Sequence, residues 1–459
     1  MAKSAIIITI METNETIVAI STGLGSSAIS IVRLSGKDAV KIADKIFVSQ
    51  KNNLPSSFQE RKLVLGKVQT SNFNEQAMCV VFKGPKSYTG EDMVEFQCHG
   101  GSQISNGILR ECLACGARLA TNGEFTKRAF MNGKMTLSSA EGMMDMINAE
   151  SDSEIRAGFN LLSGKLSKTA FEVQNNLTDI LSEIEVSFDY PEETIEFVTK
   201  AKIEKTLNKI HTELSKLLAT CSAGKLLKSG INVAIIGKPN VGKSSLLNCL
   251  VGKDKAIVTD IAGTTRDSVE DTIIVNDIKI NLIDTAGIRD TDDKVEQIGV
   301  NKAKQSLSHA DIILFLVDSN RKFDGEDQAI LDSLAEKNFV VIKTKCDLPC
   351  KCEKHFDGEI LISSTTESGI DKLKDRITEN AKLSNLSSES VIITNERHKN
   401  ALENADKHIL IALENLQSQT LDLISIDIKQ AYLYIGEITG NTTSEDIIDA
   451  IFSKFCLGK

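Results

Sequence analysis

The run Gly237-Lys238-Pro239-Asn240-Val241-Gly242-Lys243-Ser244 limits what this chain can fold into more tightly than any other stretch. Two glycines frame a loop that ends in Lys-Ser. An apolar, strand-like run (Ile231 to Ile236) precedes it and a helix-like one (Ser245 to Val251) follows. Strand, glycine loop and helix in that order aim backbone N–H groups at phosphate oxygens from a helix N-terminus. Lys243 is placed to reach β- and γ-phosphates, and the Ser244 hydroxyl to hold Mg²⁺. Asn240, Val241, Gly242 and Ser245 complete the expected nucleotide contacts of this loop.

Further elements follow in the order of a guanine-nucleotide fold. Thr259-Asp260-Ile261-Ala262-Gly263-Thr264-Thr265 reads as a loop that senses the γ-phosphate, with the Thr265 hydroxyl on Mg²⁺. An apolar strand then ends in Asp284-Thr285-Ala286-Gly287, an Asp-x-x-Gly element. Asp284 is expected to meet Mg²⁺ through water, and the Gly287 amide to meet the γ-phosphate. After the apolar runs Ile312 to Val317 and Phe339 to Ile342 comes Thr344-Lys345-Cys346-Asp347, where guanine-specific proteins usually carry Asn-Lys-x-Asp. The Asp347 carboxylate suits guanine N1–H and N2–H₂; adenine would leave it buried and unpaired. Ser363-Ser364-Thr365 fits the last base-contacting loop. The position after Gly287 is Ile288, which cannot orient water by hydrogen bonding. An acidic residue in the loop that follows is the substitute expected, with Glu296 chosen over Asp290, Asp292 and Asp293. A monovalent cation held by Asn240 and loop carbonyls is a further route to charge neutralisation.

From about Thr16 to Lys459 the chain resembles the MnmE (TrmE) family of tRNA-modifying GTPases. Ile31-Val32-Arg33-Leu34-Ser35-Gly36, Tyr88-Thr89-Gly90-Glu91-Asp92, His99-Gly100-Gly101 and Gly123-Glu124-Phe125-Thr126 carry the resemblance. So do Arg128-Ala129-Phe130 and the terminal Phe455-Cys456-Leu457-Gly458-Lys459. The resemblance implies an α/β P-loop GTPase domain inserted in an α-helical domain, behind an α+β folate-binding N-terminal domain. It also implies a homodimer, K⁺ activation, a flavoprotein partner of the MnmG (GidA) kind that carries FAD, and C5 aminomethyl-type modification of the wobble uridine of certain tRNAs. By position, Asn240 and the carbonyls near Thr259, Ile261 and Thr264 would hold K⁺, Ser244 and Thr265 Mg²⁺, and Glu296 the attacking water. Arg33, Glu95, Lys134 and Lys459 would bind 5-formyl- or methylene-tetrahydrofolate, whose carboxylates suit Arg and Lys and whose pterin donors suit a carboxylate. The chain departs from the family pattern at Thr22 to Ser27, where a Pro- and Arg-containing loop is usual, and at Asn122.

At 459 residues and 41% apolar content the chain can build about three cored domains. Boundaries are expected at 12–128 for the α+β domain, 129–229 with 381–459 for the helical one, and 230–380 for the inserted GTPase. Leu177, Ile180, Leu181 and Ile184, then Ile203, Leu207, Ile210 and Leu214, and later Leu402, Ile409, Leu413 and Leu416 all fall at spacings that helices produce. A helical pattern split by an αβ segment is what an insertion produces. A net charge of −10 is a poor footprint for gripping RNA, so tRNA contact calls for a local basic patch or a partner. Ten scattered cysteines without a secretory signal or an apolar span place the chain in the cytoplasm, away from membranes. The competing reading is a ribosome-assembly GTPase of the Era or Der type, which would add a basic RNA-binding domain.

Overall fold

A computed structural model of the chain describes residues 15–23, 25, 27–189, 200–254, 271–284, 310–335, 337–379 and 391–459. Two compact units result, Met1–Met144 with Gly436–Lys459, and Asp145–Ile435.

In the first unit, β1 (Ile17–Ile20), β2 (Ile29–Ser35), β3 (Phe47–Ser49), β4 (Val64–Gln69), β5 (Asn74–Phe82), β6 (Met93–His99) and β7 (Arg118–Leu119) form one sheet. Its strand order is β3-β4-β5-β6-β2-β1-β7. Side chains alternate across a strand. Val18, Val32, Leu34 and Phe96 therefore face Ile42, Ile46 and Ile108 of the helices Ala39–Ile46 and Ser102–Ala114. Ile17, Ala19 and Met93 pack with Phe125 instead. The C-terminal helix Glu445–Phe452 packs into the same unit, where Ile448, Phe452 and Phe455 cluster with Leu137 and Ala140.

In the second unit, helix Lys165–Asp189 buries Leu166, Ala170, Val173, Leu177, Ile180 and Ile184. Their four- and three-residue steps draw one apolar stripe along a helix. Helix Lys200–Leu218 buries Ile203, Leu207, Ile210 and Leu214 and packs on Glu396–Asn415, which buries Leu402, Ala405 and Ile409. These partners flank the αβ segment in sequence yet touch in space, so that segment is inserted into a helical domain. Within it, β8 (Ile231–Gly237), β9 (Asp271–Val275), β10 (Ile278–Asp284), β11 (Ile312–Asp318), β12 (Phe339–Thr344) and β13 (Ile360–Leu361) form a sheet of order β13-β12-β11-β8-β10-β9. All pairs are parallel except β9 with β10. Strand order reverses direction at β8, and such a switch point opens a crevice beyond the strand's carboxyl end. The β9–β10 turn is held on the helical segment. Ser153 N donates to Asp277 Oδ1 (3.1 Å), Ser153 Oγ to the Asp277 carbonyl (2.6 Å), and Arg156 pairs with the Asp277 carboxylate.

Candidate functional site: a phosphate loop tied to a base loop

Gly237 ends β8 opposite Leu316, with φ at 153°. A Cβ there would stand 2.6 Å from the Leu316 carbonyl oxygen, so only glycine lets the chain leave the sheet. Asn240 (φ 61°) and Gly242 (φ 102°) then turn the loop back into helix Lys243–Asp254. Asparagine is among the few side chains that tolerate that backbone region. Lys243 Nζ arches over the loop and donates to the carbonyls of Gly237 (2.7 Å) and Lys238 (3.0 Å). Ser244 and Ser245 open the first helical turn, both exposed.

The segments expected to contact the base are stitched to this loop. Thr344 ends β12, is buried, and donates its hydroxyl to the Val241 carbonyl at 2.7 Å. Lys345, in left-handed conformation at φ 57°, sends Nζ to the Asn240 carbonyl (3.0 Å) and to Asp318 Oδ2 (2.6 Å). The Cys346 amide donates to the Ile362 carbonyl at 3.1 Å, which joins this segment to the Ser363 loop. Ser363 is buried and accepts from the Thr366 amide (3.2 Å), whereas Asp347 and Thr365 are exposed and Ser364 half-buried. Thr344 thus retains the tie to the phosphate loop with a shorter side chain than the usual Asn. Thr344→Val should strand the buried Val241 carbonyl and weaken GDP binding roughly tenfold, from a cost of about 1–3 kcal/mol. Thr344→Ser should stay within about threefold of wild type by calorimetry, since it keeps the donor.

Sequence reasoning missed Lys238, which anchors the loop from outside. Its ammonium meets Asp324 (2.6 Å) and the buried Asp327 (3.1 Å), and Asp324 caps helix Gly325–Asp332. No local pattern signals a pair spanning that much sequence. Asp284 ends β10 in register with Ile235, beside the strand that feeds the loop. Thr259, Asp260, Ile261, Ala262, Gly263, Thr264, Thr265, Thr285, Ala286, Gly287 and Glu296 lie outside the described residues.

A second polar cluster occupies the first unit. Arg33 and Glu95 stand opposite each other on β2 and β6, with Nε donating to Oε1 at 2.8 Å. The guanidinium lies 5.8 Å from the Tyr88 ring centroid and 5.7 Å from that of Phe125, and its Nη1 is 3.4 Å from the Gly458 carbonyl. Gly458 (φ 87°) allows that approach, because a Cβ would fall 2.4 Å from the Ile20 carbonyl oxygen. The C-terminal tail therefore reaches Arg33 through its backbone. Lys459 follows half-buried, and exposed Lys134 donates to the Pro85 carbonyl at 2.8 Å. Tyr88 and Phe125 join this cluster through Arg33 and were missed by sequence reasoning, although both lie in motifs that carry the family resemblance.

Behind this cluster sits a buried ion network. Arg128 contacts Glu91 Oε2 (3.1 Å) and Glu124 Oε1 (2.9 Å), and Arg118 contacts Glu124 Oε1 at 2.6 Å. Burial pushes the Glu124 carboxyl up. Hydrogen bonds from Arg118, the Thr121 amide and Arg128 outweigh that and hold it at about 2, against an ordinary 4.5. Burial also raises the Tyr88 hydroxyl above its ordinary range, keeping it neutral.

Two family models match the chain: the MnmE helical domain over residues 137–456, and the GTP-binding protein TrmE N-terminus over residues 16–134. The tRNA modification GTPase MnmE of Clostridioides difficile (strain 630) is 42% identical over 458 residues, covering 97% of this chain and 99% of its own. That of Acetivibrio thermocellus is 41% identical over 461 residues, covering 98% and 100%. Among solved structures, a variant of Aquifex aeolicus Era bound to GDP.AlF4- is 30% identical over 39% of this chain and 67% of its own, with a TM-score of 0.28.

Proposed function

This chain belongs to the MnmE family of tRNA modification GTPases, and on that premise we propose that it hydrolyses GTP to drive C5 aminomethyl-type modification of the wobble uridine of certain tRNAs. The observation that carries the reading is the direct tie of base loop to phosphate loop through Thr344 and Lys345, in a chain related over nearly its full length to tRNA modification GTPases.

Each group has a task that its surroundings suit. The amides of the loop from Lys238 to Ser244 cradle the phosphates, and the Lys243 ammonium exchanges its carbonyl partners for phosphate oxygens. Asp347 takes the guanine donors. Ser244 and Thr265 serve Mg²⁺, while Asn240 with the carbonyls of Thr259, Ile261 and Thr264 serves K⁺. Bound there, the cations would supply positive charge beside the γ-phosphate, and Glu296 orients water where Ile288 cannot. In the first unit, Arg33, Glu95, Lys134 and Lys459 would hold a tetrahydrofolate derivative, which would supply the one-carbon unit. The fit is chemical: Glu95 can accept from a pterin, Tyr88 and Phe125 offer rings beside it, and the cations suit glutamate carboxylates. The protein acts in the cytoplasm as a homodimer with an MnmG-like FAD protein. Among the described residues no helix is long and apolar enough to cross a membrane.

The ribosome-assembly alternative is set aside. After the nucleotide-binding segment the chain returns to helices Glu396–Asn415, Leu421–Thr439 and Glu445–Phe452, which fall within the match to the MnmE helical domain. Deleting the gene and digesting bulk tRNA to nucleosides tests the proposal. C5-modified wobble uridines should disappear by mass spectrometry and return on complementation. Their persistence in the deletion strain would overturn it.

A further inference from the structure

Four exposed cations that neither the nucleotide nor the folate chemistry uses converge on one short loop: Arg61, Lys62, Lys83 and Lys86. The loop is built rather than incidental. The Lys86 amide donates to the Lys83 carbonyl at 3.0 Å and closes a turn. Arg61 arrives just before β4, with its amide on the Val81 carbonyl (2.9 Å) and its guanidinium on the Lys86 carbonyl. Lys134 arrives after helix Glu124–Met131 and caps the Pro85 carbonyl at 2.8 Å.

Among the described residues none of the four forms an ion pair. The carboxylates nearby offset them only in part. Glu91 is paired with Arg128 and also accepts from Ser35, while Asp92 accepts from the uncharged Gly84 amide (2.9 Å) and keeps its charge. Exposed Glu60, beside Arg61 in sequence, is a second counter-charge. In a chain of net charge −10, the positive excess that is left opposes the overall sign. Lys and Arg carry several N–H donors, so one bond to a backbone carbonyl leaves others for an anion. The same loop runs on to Tyr88, whose ring lies against Arg33, so the cations flank the Arg33–Glu95 cluster.

We propose that the Lys83–Lys86 loop, with Arg61 and Lys62, is a phosphate-backbone contact surface for tRNA, placed beside the Arg33–Glu95 cluster. This rests on the tRNA-modification reading and names where the substrate is gripped. Exposed cations spread over a surface loop match a run of phosphates better than a single anion, which needs an enclosing pocket. They position the RNA without reading bases.

The test uses the full-length chain and its Lys62→Ala/Lys83→Ala/Lys86→Ala variant. Arg61 and Lys134 are retained because their hydrogen bonds shape the loop. Binding to unmodified tRNA is measured by fluorescence anisotropy across a salt series, beside GTP turnover and binding of a polyglutamylated folate. The variant should bind tRNA about tenfold more weakly at low salt. Its log–log salt slope should fall by about 2–3, at roughly 0.7–0.9 for each phosphate left unneutralised. GTP turnover should not change. An affinity within twofold of wild type with the same slope overturns the proposal. So does a variant that loses only the folate, which would assign these cations to the glutamate tail. Wild type that restores wobble modification in cells while the variant binds tRNA equally well sinks this surface alone. Failure of wild type to restore modification sinks the functional reading beneath it.

Discussion

Lys243→Ala should weaken GTP binding by about 10²–10³-fold and abolish turnover while leaving the fold intact. The ammonium already sits over the loop mouth, held by the Gly237 and Lys238 carbonyls, so its place does not depend on ordering a free side chain. Removing one member of a desolvated charge pair costs about 2–5 kcal/mol, mostly because the other charge is left unpaired. At about 1.4 kcal/mol per tenfold, the middle of that range gives the affinity loss stated. Stability should not fall, because Lys243 opens a helix in which alanine is the better former and the adjacent Gly237 and Gly242 still shape the loop. Calorimetry with GTP and GDP beside a thermal melt checks both halves. Unchanged affinity in the folded variant would remove Lys243 from the phosphate site.

Glu124→Gln should destabilise the N-terminal unit by roughly 3 kcal/mol at pH 7, with little effect on nucleotide binding. The carboxylate bridges Arg118 and the buried Arg128, and the amide takes one anion from each, leaving Arg128 with Glu91 and Arg118 with the exposed Glu15. The pH dependence is the sharper check. The folded-state value lies at about 2, below the ordinary 4.5, so the charged carboxylate is what the fold favours. Its contribution is complete above about pH 4.5 and is lost as pH falls from there towards 2. The stability gap between wild type and variant, from urea unfolding, should be widest near neutrality and close across that window. A gap that stays constant between about pH 6 and about 2.5 would show that the variant acts through packing rather than charge.

What could be read without coordinates follows from how local each constraint is. The phosphate loop was legible because its glycines are set by the backbone itself: a strand that must exit past Leu316 and turn through left-handed geometry. The central strand Ile312–Asp318 was legible because both faces are covered, and its apolar run has no alternation. Elements made by tertiary pairing were not. Arg118–Leu119 becomes a strand only by lying parallel to β1, and Phe47, directly after helix Ala39–Ile46, opens a strand that pairs with β4. The first half of strand Asn74–Phe82 carries no apolar run, because its residues alternate exposed and buried on a half-solvated sheet. In the sites, residue types were legible and partnerships were not. Arg33 and Glu95 were both named, yet their cross-strand register comes from the sheet. Arg128 and Glu91 stood in recognisable motifs whose shared task, a buried charge network, emerges only when three segments meet. The Lys238–Asp327 anchor had no sequence signal at all.

The central claim is a pocket that grips a triphosphate and chooses guanine through Asp347. Titrating the purified full-length chain with GTP and with ATP under identical Mg²⁺ and K⁺ tests it most directly. GTP should bind at least about 10³-fold more tightly, because adenine cannot satisfy the carboxylate. Equal affinity for the two nucleotides would contradict the account.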